Sequence, residues 1–160
     1  PSSAALTRAG GNSTEATSTS TSAVSLLTTT GLSIVVTTPV LSIASLRKTT
    51  GAANTVSAGA MINASTTETP AAITSSENAA WTGIWRHMMG HQATPNYDFG
   101  TYLEVMMHSR ATDTKQLTTT FTASNVPTAT ITDVIVRALV ADAGITVGAD
   151  EMHVYAFATS

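Results

Sequence analysis

Hydrophobic and polar residues alternate with a period of two in several segments of the chain, and this alternation predicts β-strands. The clearest segment is 101–110, in which Leu103, Val105 and Met107 occupy every second position. Residues 117–123 alternate in the same way after a short polar turn. Because successive side chains of a strand point to opposite faces of a sheet, we predict that these two segments pair as antiparallel strands.

Three other segments have the composition of strands. Residues 40–48 follow Pro39 and are rich in aliphatic side chains, and residues 56–63 alternate small apolar residues with Ser57, Gly59 and Met61. A polar loop separates these two segments, so we predict that they form a hairpin. Residues 80–89 form a further predicted strand with Trp81 and Trp85 on one face, and residues 152–158 form a short final strand.

The period changes in residues 131–143. The apolar positions of this segment fit the stripe of an amphipathic helix and are Ile131, Val134, Ile135, Ala138 and Leu139. Thr130 precedes the stripe as a possible cap and Gly144 follows it. We therefore predict a C-terminal helix over 131–143. A strand is the alternative, because Ile, Val and Thr are stiff at χ1 and favour strands.

The first 22 residues are dominated by Ser, Thr, Ala and Gly, and only Arg8 and Glu15 are charged. Such a segment buries too little apolar surface to offset the entropy lost on ordering. We predict an N-terminal arm over residues 1–22, flexible or ordered by neighbouring chains, and a single domain over residues 23–160. No basic stretch leads into an apolar run, and no apolar segment is long enough for a membrane helix, so we expect neither a signal peptide nor a membrane partner.

Charged residues are few. Asp, Glu, Lys and Arg make up 11% of the 160 residues, against roughly 25% in an ordinary soluble domain, and the hydrophobic content is 42%. A surface with so few charges gives weak protection against association. We therefore predict a subunit whose faces are covered by copies of itself. A secreted, threonine-rich β domain is the alternative.

The residues that carry catalytic or metal chemistry do not form a recognisable pattern. The chain has no cysteine, and His87 and His91 stand four residues apart without the adjacent glutamate of a zinc-protease helix. No glycine-flanked nucleophilic serine and no phosphate-binding glycine loop is present. We expect no enzyme activity, no metal and no cofactor.

A modest basic surface is predicted on the strands. Arg86 lies on one predicted strand, and Arg110 shares a strand face with Tyr102 and His108. A cation beside stacking and hydrogen-bonding groups is a typical RNA-contact surface. An ordinary polar sheet face is the alternative, and the net charge of −3 argues against strong non-specific binding to phosphate.

Two long segments carry a family resemblance. The stretch PVLSIASLRKTTGAANTVSAGAMIN, followed later by LTTTFTASNVPTATITDVIVRALVADAGI, resembles the coat proteins of single-stranded RNA bacteriophages of the levivirus type. The resemblance implies an antiparallel sheet with C-terminal helices, an intertwined homodimer, an icosahedral shell and an RNA hairpin bound on the inner sheet face. By position it also implies four RNA-facing residues, which are Ser42, Ser45, Arg47 and Lys48.

These observations together predict a viral coat protein located in the virion. The expected fold is α+β, an antiparallel sheet with a C-terminal helix in an intertwined dimer, with the helix stripe at the subunit interface. An all-β single jelly roll, as in small satellite viruses, is the alternative fold. Two other functions remain open, a trimeric tail-fibre tip and a carbohydrate-binding module. The tail-fibre tip would expose Trp81, Trp85 and Tyr97 in a shallow glycan groove.

Overall fold

A computed structural model of the chain describes residues 5–35, 38–50, 55–64, 66–67, 71–74, 80–93, 96–108, 113–125 and 130–157. Twelve β-strands lie within these ranges. They are β1 (Leu6–Asn12), β2 (Ala16–Ser18), β3 (Val24–Thr29), β4 (Val40–Thr50), β5 (Thr55–Ile62), β6 (Thr66–Thr67), β7 (Ala71–Thr74), β8 (Trp81–Ala93), β9 (Asn96–His108), β10 (Asp113–Asn125), β11 (Val134–Val140) and β12 (Thr146–Phe157). Over these ranges, no helix is long and apolar enough to cross a membrane.

The strands form two antiparallel sheets. The large sheet has seven strands in the order β1-β12-β4-β8-β9-β10, with β2 beside β12 on the same edge as β1. The small sheet has five strands in the order β3-β11-β5-β6, with β7 also beside β5. The described part of the chain is therefore all-β.

The hydrophobic core lies between the two sheets and follows from the alternation along each strand. Val40, Ala44 and Leu46 of β4 are buried, as are Trp81 and Trp85 of β8. The small sheet contributes four inward residues from each of its two central strands, which are Val56, Ala58, Ala60 and Ile62, and Val134, Val136, Ala138 and Val140. Full burial of a Val or Leu side chain contributes roughly 1.5–3 kcal/mol, so this layer is the main source of stability.

Several strand predictions are confirmed. β9 and β10 pair in register along their whole length, and β8 carries both tryptophans on its inner face. The hairpin predicted for residues 40–63 is wrong, because β4 lies between β12 and β8 in the large sheet and β5 lies beside β11 in the small one. Each of these strands has one apolar face. The two apolar faces lie opposite each other across the core, so β4 and β5 pack face to face and are not hydrogen-bonded neighbours.

The predicted C-terminal helix over 131–143 is also wrong. Residues Val134–Val140 form β11, which pairs with β3 on one side and with β5 on the other. A central strand that is covered on its inner face and partly on its outer face carries a nearly continuous apolar run, and such a run also satisfies helical spacing. The β-branched residues and the available partners decide the outcome in favour of a strand.

A second chain is not needed to complete the core. The accessible surface is 7766 Å², and a compact monomer of 16.4 kDa is expected to expose roughly 7,500 Å². The intertwined dimer that the resemblance implies would leave a separated chain with much more exposed surface. The single chain is therefore about as compact as a monomeric domain of this mass.

The N-terminal segment predicted as an arm contains β1 and β2, which lie along β12 as edge strands. Most side chains of β1 are exposed. The segment that separates β1 from β2 lies beside residues Ala149 to Met152 of β12, where the register between β12 and β4 also shifts. Backbone pairing, with little apolar burial, holds this segment to the large sheet.

Candidate assembly surface

The outer face of the large sheet is the side turned away from the small sheet. Strand alternation places every second residue of β4, β8 and β12 on it, because the intervening residues are buried in the core. The outer-face residues of these strands are Leu41, Ile43, Ser45, Arg47, Thr82, Ile84, Arg86, Met88, His153 and Tyr155. The face therefore joins apolar, aromatic and charged side chains on the central strands of the sheet.

Four of these residues form what we call the apolar stripe: Leu41, Ile43, Ile84 and Met88. Met88 lies opposite Leu41 in the register of β4 and β8. Ile43 lies two residues further along β4, opposite Arg86, and Ile84 lies four residues from Met88 along β8, opposite Ser45. Ile84 is 52% exposed and Met88 is 50% exposed, although both belong to a strand in the interior of the sheet. A cluster of exposed apolar side chains marks an interaction site on a soluble protein.

The charges around the apolar stripe are largely balanced by their neighbours. Arg47 forms ion pairs with Glu15, just before β2, and with Asp150 of β12. Its guanidinium crosses β12 above Gly148, where a Cβ atom would lie 3.2 Å from the Arg47 Cζ atom. The Nε2 atom of His153 lies 2.6 Å from a carboxylate oxygen of Glu151. Arg47 thus fastens the N-terminal edge to the sheet and presents little unbalanced positive charge.

The RNA-facing residues implied by the resemblance divide between the two faces of β4. Ser45 and Arg47 lie on the outer face, whereas Ser42 and Lys48 are buried on the inner face among core side chains. Burial lowers the pKa of the Lys48 amine. Ser42 and Lys48 are therefore not accessible to a ligand on the sheet surface.

The second group of predicted RNA-contact residues is only partly described. Arg86 is exposed on the outer face of β8, and its register partner on β9 is Tyr102. His108 is the last residue of β9 and pairs in register with Asp113. Arg110 lies outside the described residues. The register brings Arg86 and Tyr102 to neighbouring positions, so these two remain together as a candidate pair.

The predicted interface residues of 131–143 are mostly internal. Ile131, Val134 and Ala138 are fully buried within the chain itself. Ile135 and Leu139 point to the outer face of the small sheet, where Ile135 is buried and Leu139 is half-buried. The five residues do not form one surface, because a strand divides them between its two faces.

The two tryptophans expected in a glycan groove are also internal. Trp81 and Trp85 are fully buried, and Tyr97 belongs to β9, where only the backbone is described. The ring of His87 stacks on that of Trp85, with centroids 5.7 Å apart and planes 7° apart. Complete burial lowers the pKa of His87 to about 3, so its imidazole is neutral near pH 7. Within the described ranges, no group of three His, Asp or Glu side chains is placed to hold a metal ion.

Sequence reasoning missed the residues that define this surface. Ile84 lies between the two buried tryptophans in sequence, and Met88 lies after the second one. Both point to the opposite face of β8, so the alternation along this strand already predicted that they are exposed. His153 and Tyr155 lie within the predicted final strand, but the sequence did not show that this strand pairs with β4, which places both residues beside Leu41 and Ile43. Their rings lie 6.3 Å apart beside the apolar stripe.

Comparisons with known proteins found no matching family model, no matching curated protein and no matching solved structure.

Proposed function

We propose that this protein is a viral coat subunit of the jelly-roll type, which assembles with copies of itself into a closed shell around a nucleic-acid genome. The strand order supports this fold. In a jelly roll of eight strands, a long hairpin is rolled up into two sheets. The first strand pairs with the last, the second with the second-to-last, and so on towards the middle of the hairpin. Here β1 pairs with β12, β3 with β11, β4 with β8, and β5 with β6 and β7. The β9–β10 hairpin extends the large sheet.

The jelly roll occurs in viral capsids, but also in lectins and cupins, so the fold alone does not carry the function. The observation that carries it is the apolar stripe on the central strands of a chain with 11% charged residues. Side chains in such a position remain in water unless another surface covers them. Contact with a second copy removes them from water at roughly 25 cal/mol for each Å² of apolar area.

The size of the molecule fits this mode of association. A standard protein interface takes roughly 800 Å² from each partner, which is about a tenth of the accessible surface of 7766 Å². The outer face of the three neighbouring strands β12, β4 and β8 is the described surface that is open to such a contact. The two carboxylates paired with Arg47 at its border avoid an unbalanced positive charge there.

The nucleic-acid part of the proposal rests on fewer groups. Arg86 lies between Ile84 and Met88 on the face proposed for subunit contact. Lys48 is buried and Arg47 is paired with two carboxylates, so the described residues offer the genome few cations. With a net charge of −3, the genome contributes a smaller share of the assembly free energy than subunit contacts do. We favour the jelly-roll type over the RNA-phage type, because the helix that the latter requires is a strand here.

The apolar stripe can be tested with charged substitutions. We expect the double variant Ile84→Asp and Met88→Asp to lose particle formation, because two carboxylates would be desolvated in the contact. Both side chains are half-exposed, so the folded monomer should persist. Size-exclusion chromatography with electron microscopy of the void fraction measures the result.

Thr30→Asp is the control, since Thr30 is exposed on the connection after β3 and lies outside the outer face of the large sheet. Its particles should form as in the wild type. If the double variant also assembles normally, the outer face of the large sheet is not the assembly surface.

A further inference from the structure

The methionines of the described strands differ in how far solvent reaches them. Met88 of β8 is 50% exposed, whereas Met89, the next residue of the same strand, is 1% exposed. Met152 of β12 is fully buried, and Met61 of β5 is half-buried. Because neighbouring residues of a strand point to opposite faces, the thioether of Met88 is open to small molecules in solution and that of Met89 is enclosed between the sheets.

The register of the large sheet accounts for the exposure of Met88 on an interior strand. Its register partner on β4 is Leu41, and its register partner on β9 is Gly100, a residue without a side chain. Cross-strand pairs normally cover part of each other's surface. The position on β9 supplies no such cover, in agreement with the half-exposed side chain of Met88.

An accessible thioether reacts with a peroxide in one balanced step. The sulfur lone pair attacks one peroxide oxygen, the O–O bond breaks, and a sulfur–oxygen bond forms. The sulfur is oxidised by two electrons, and hydrogen peroxide is reduced to water. The product, methionine sulfoxide, carries a polar hydrogen-bond acceptor where an apolar group had been.

We propose that Met88 is an oxidation site through which a peroxide controls self-association at the outer face of the large sheet. This inference rests on the proposed function, because the apolar stripe is the contact that oxidation changes. Reduced Met88 enters that contact as an apolar side chain. Oxidised Met88 brings an oxygen atom that must be desolvated, and the other three side chains of the stripe are aliphatic and offer it no hydrogen-bond donor.

The order of the two events decides the outcome. Oxidation of the free subunit prevents the contact, whereas a contact that has already formed covers the sulfur and protects it. Methionine sulfoxide reductases return the sulfoxide to the thioether, so the block is reversible.

The first measurement is the site of oxidation. Dilute wild-type subunit is treated with hydrogen peroxide, and its peptides are analysed by mass spectrometry at successive times. We expect Met88 to gain one oxygen atom at least about tenfold faster than Met89 and Met152, because reactivity follows exposure. Equal rates for Met88 and Met89 would overturn the oxidation site, whatever the assembly state of the protein.

The second measurement is the assembly of the oxidised sample after concentration, followed by sedimentation velocity. We expect it to remain as free subunit and to form particles again after treatment with methionine sulfoxide reductases. Met88→Leu keeps an apolar side chain of similar volume, so this variant should assemble both before and after peroxide treatment. Met61→Leu is the matched control, since it retains Met88 and should lose assembly on oxidation as the wild type does.

Two results would overturn control by Met88. One is loss of assembly by peroxide-treated Met88→Leu, which assigns the effect to another residue. The other is normal particles from subunits in which Met88 is fully oxidised, and the proposed function then still stands if the double variant Ile84→Asp and Met88→Asp forms none. A wild-type protein that forms no particles before treatment would contradict the proposed function, while faster oxidation of Met88 than of Met89 would still support the oxidation site.

Discussion

The titratable side chain of His87 is fully buried beside Trp85. Burial lowers its pKa from 6.5 to about 3 in the folded state. Between these two values the unfolded chain binds a proton at this site and the folded chain does not. The contribution of His87 to the free energy of unfolding is therefore retained above pH 6.5 and is lost as the pH falls towards 3.

We expect His87 to contribute roughly 3 kcal/mol to the loss of unfolding free energy between pH 6.5 and pH 4. His87→Gln removes the titrating group, so the dependence of stability on pH should become flatter in this variant. Met89→Leu, at a buried position on the same strand face without a titrating group, is the control and should keep the wild-type slope. Urea unfolding at several pH values measures the slopes, and equal slopes for wild type and His87→Gln would contradict the assignment.

Strand β4 shows how far single residues were predictable. The aliphatic residues Val40, Ala44 and Leu46 mark the even-numbered positions as the inner face, and this parity places Ser42 and Lys48 inside. The resemblance to phage coat proteins assigned residues of both parities to one RNA-facing surface. The alternation along β4 correctly indicates which of its residues face the core. The resemblance to another fold could not indicate this.

At the scale of elements, β11 shows why a pattern of apolar residues can fit two structures. Positions 134, 135, 138 and 139 satisfy a helix, and positions 134, 136, 138 and 140 satisfy a strand. The two possibilities differ in what they predict for neighbouring residues. In a helix Ala138 and Leu139 share a face, whereas in β11 Ala138 is fully buried and Leu139 lies half-buried on the outer face.

We therefore expect Ala138→Asp to prevent folding, because it places an unpaired carboxylate between the sheets. Leu139→Asp should fold with a loss of about 1 kcal/mol, since its side chain can reach solvent. Thermal unfolding followed by circular dichroism distinguishes the two variants. Similar losses from both substitutions would favour a helix with both residues on its buried stripe.

Pairing between strands was predictable only where it was local. β9 and β10 follow one another closely, and their alternation sufficed to predict the pair. β1 with β12 and β3 with β11 join segments more than 100 residues apart. Many strands of this chain share the same alternation, so the pattern does not specify which distant partner each one takes. That choice depends on the packing of the whole sandwich.

At the scale of the whole molecule, the low content of charged residues predicts self-association, but it does not say where the contacts lie. The outer face of the large sheet, which carries the apolar stripe, is the surface that we propose for them. It does not include the buried residues Ile131, Val134 and Ala138, which the sequence had suggested for the interface. The composition thus supports the proposed association, and the fold supports its proposed location.

The most direct test of self-assembly is sedimentation velocity of the purified wild-type protein over a range of concentrations. We expect a fast, uniform boundary of closed particles whose ultraviolet spectrum includes nucleic acid, in equilibrium with little free subunit. A single species of 16.4 kDa at every concentration would contradict the account.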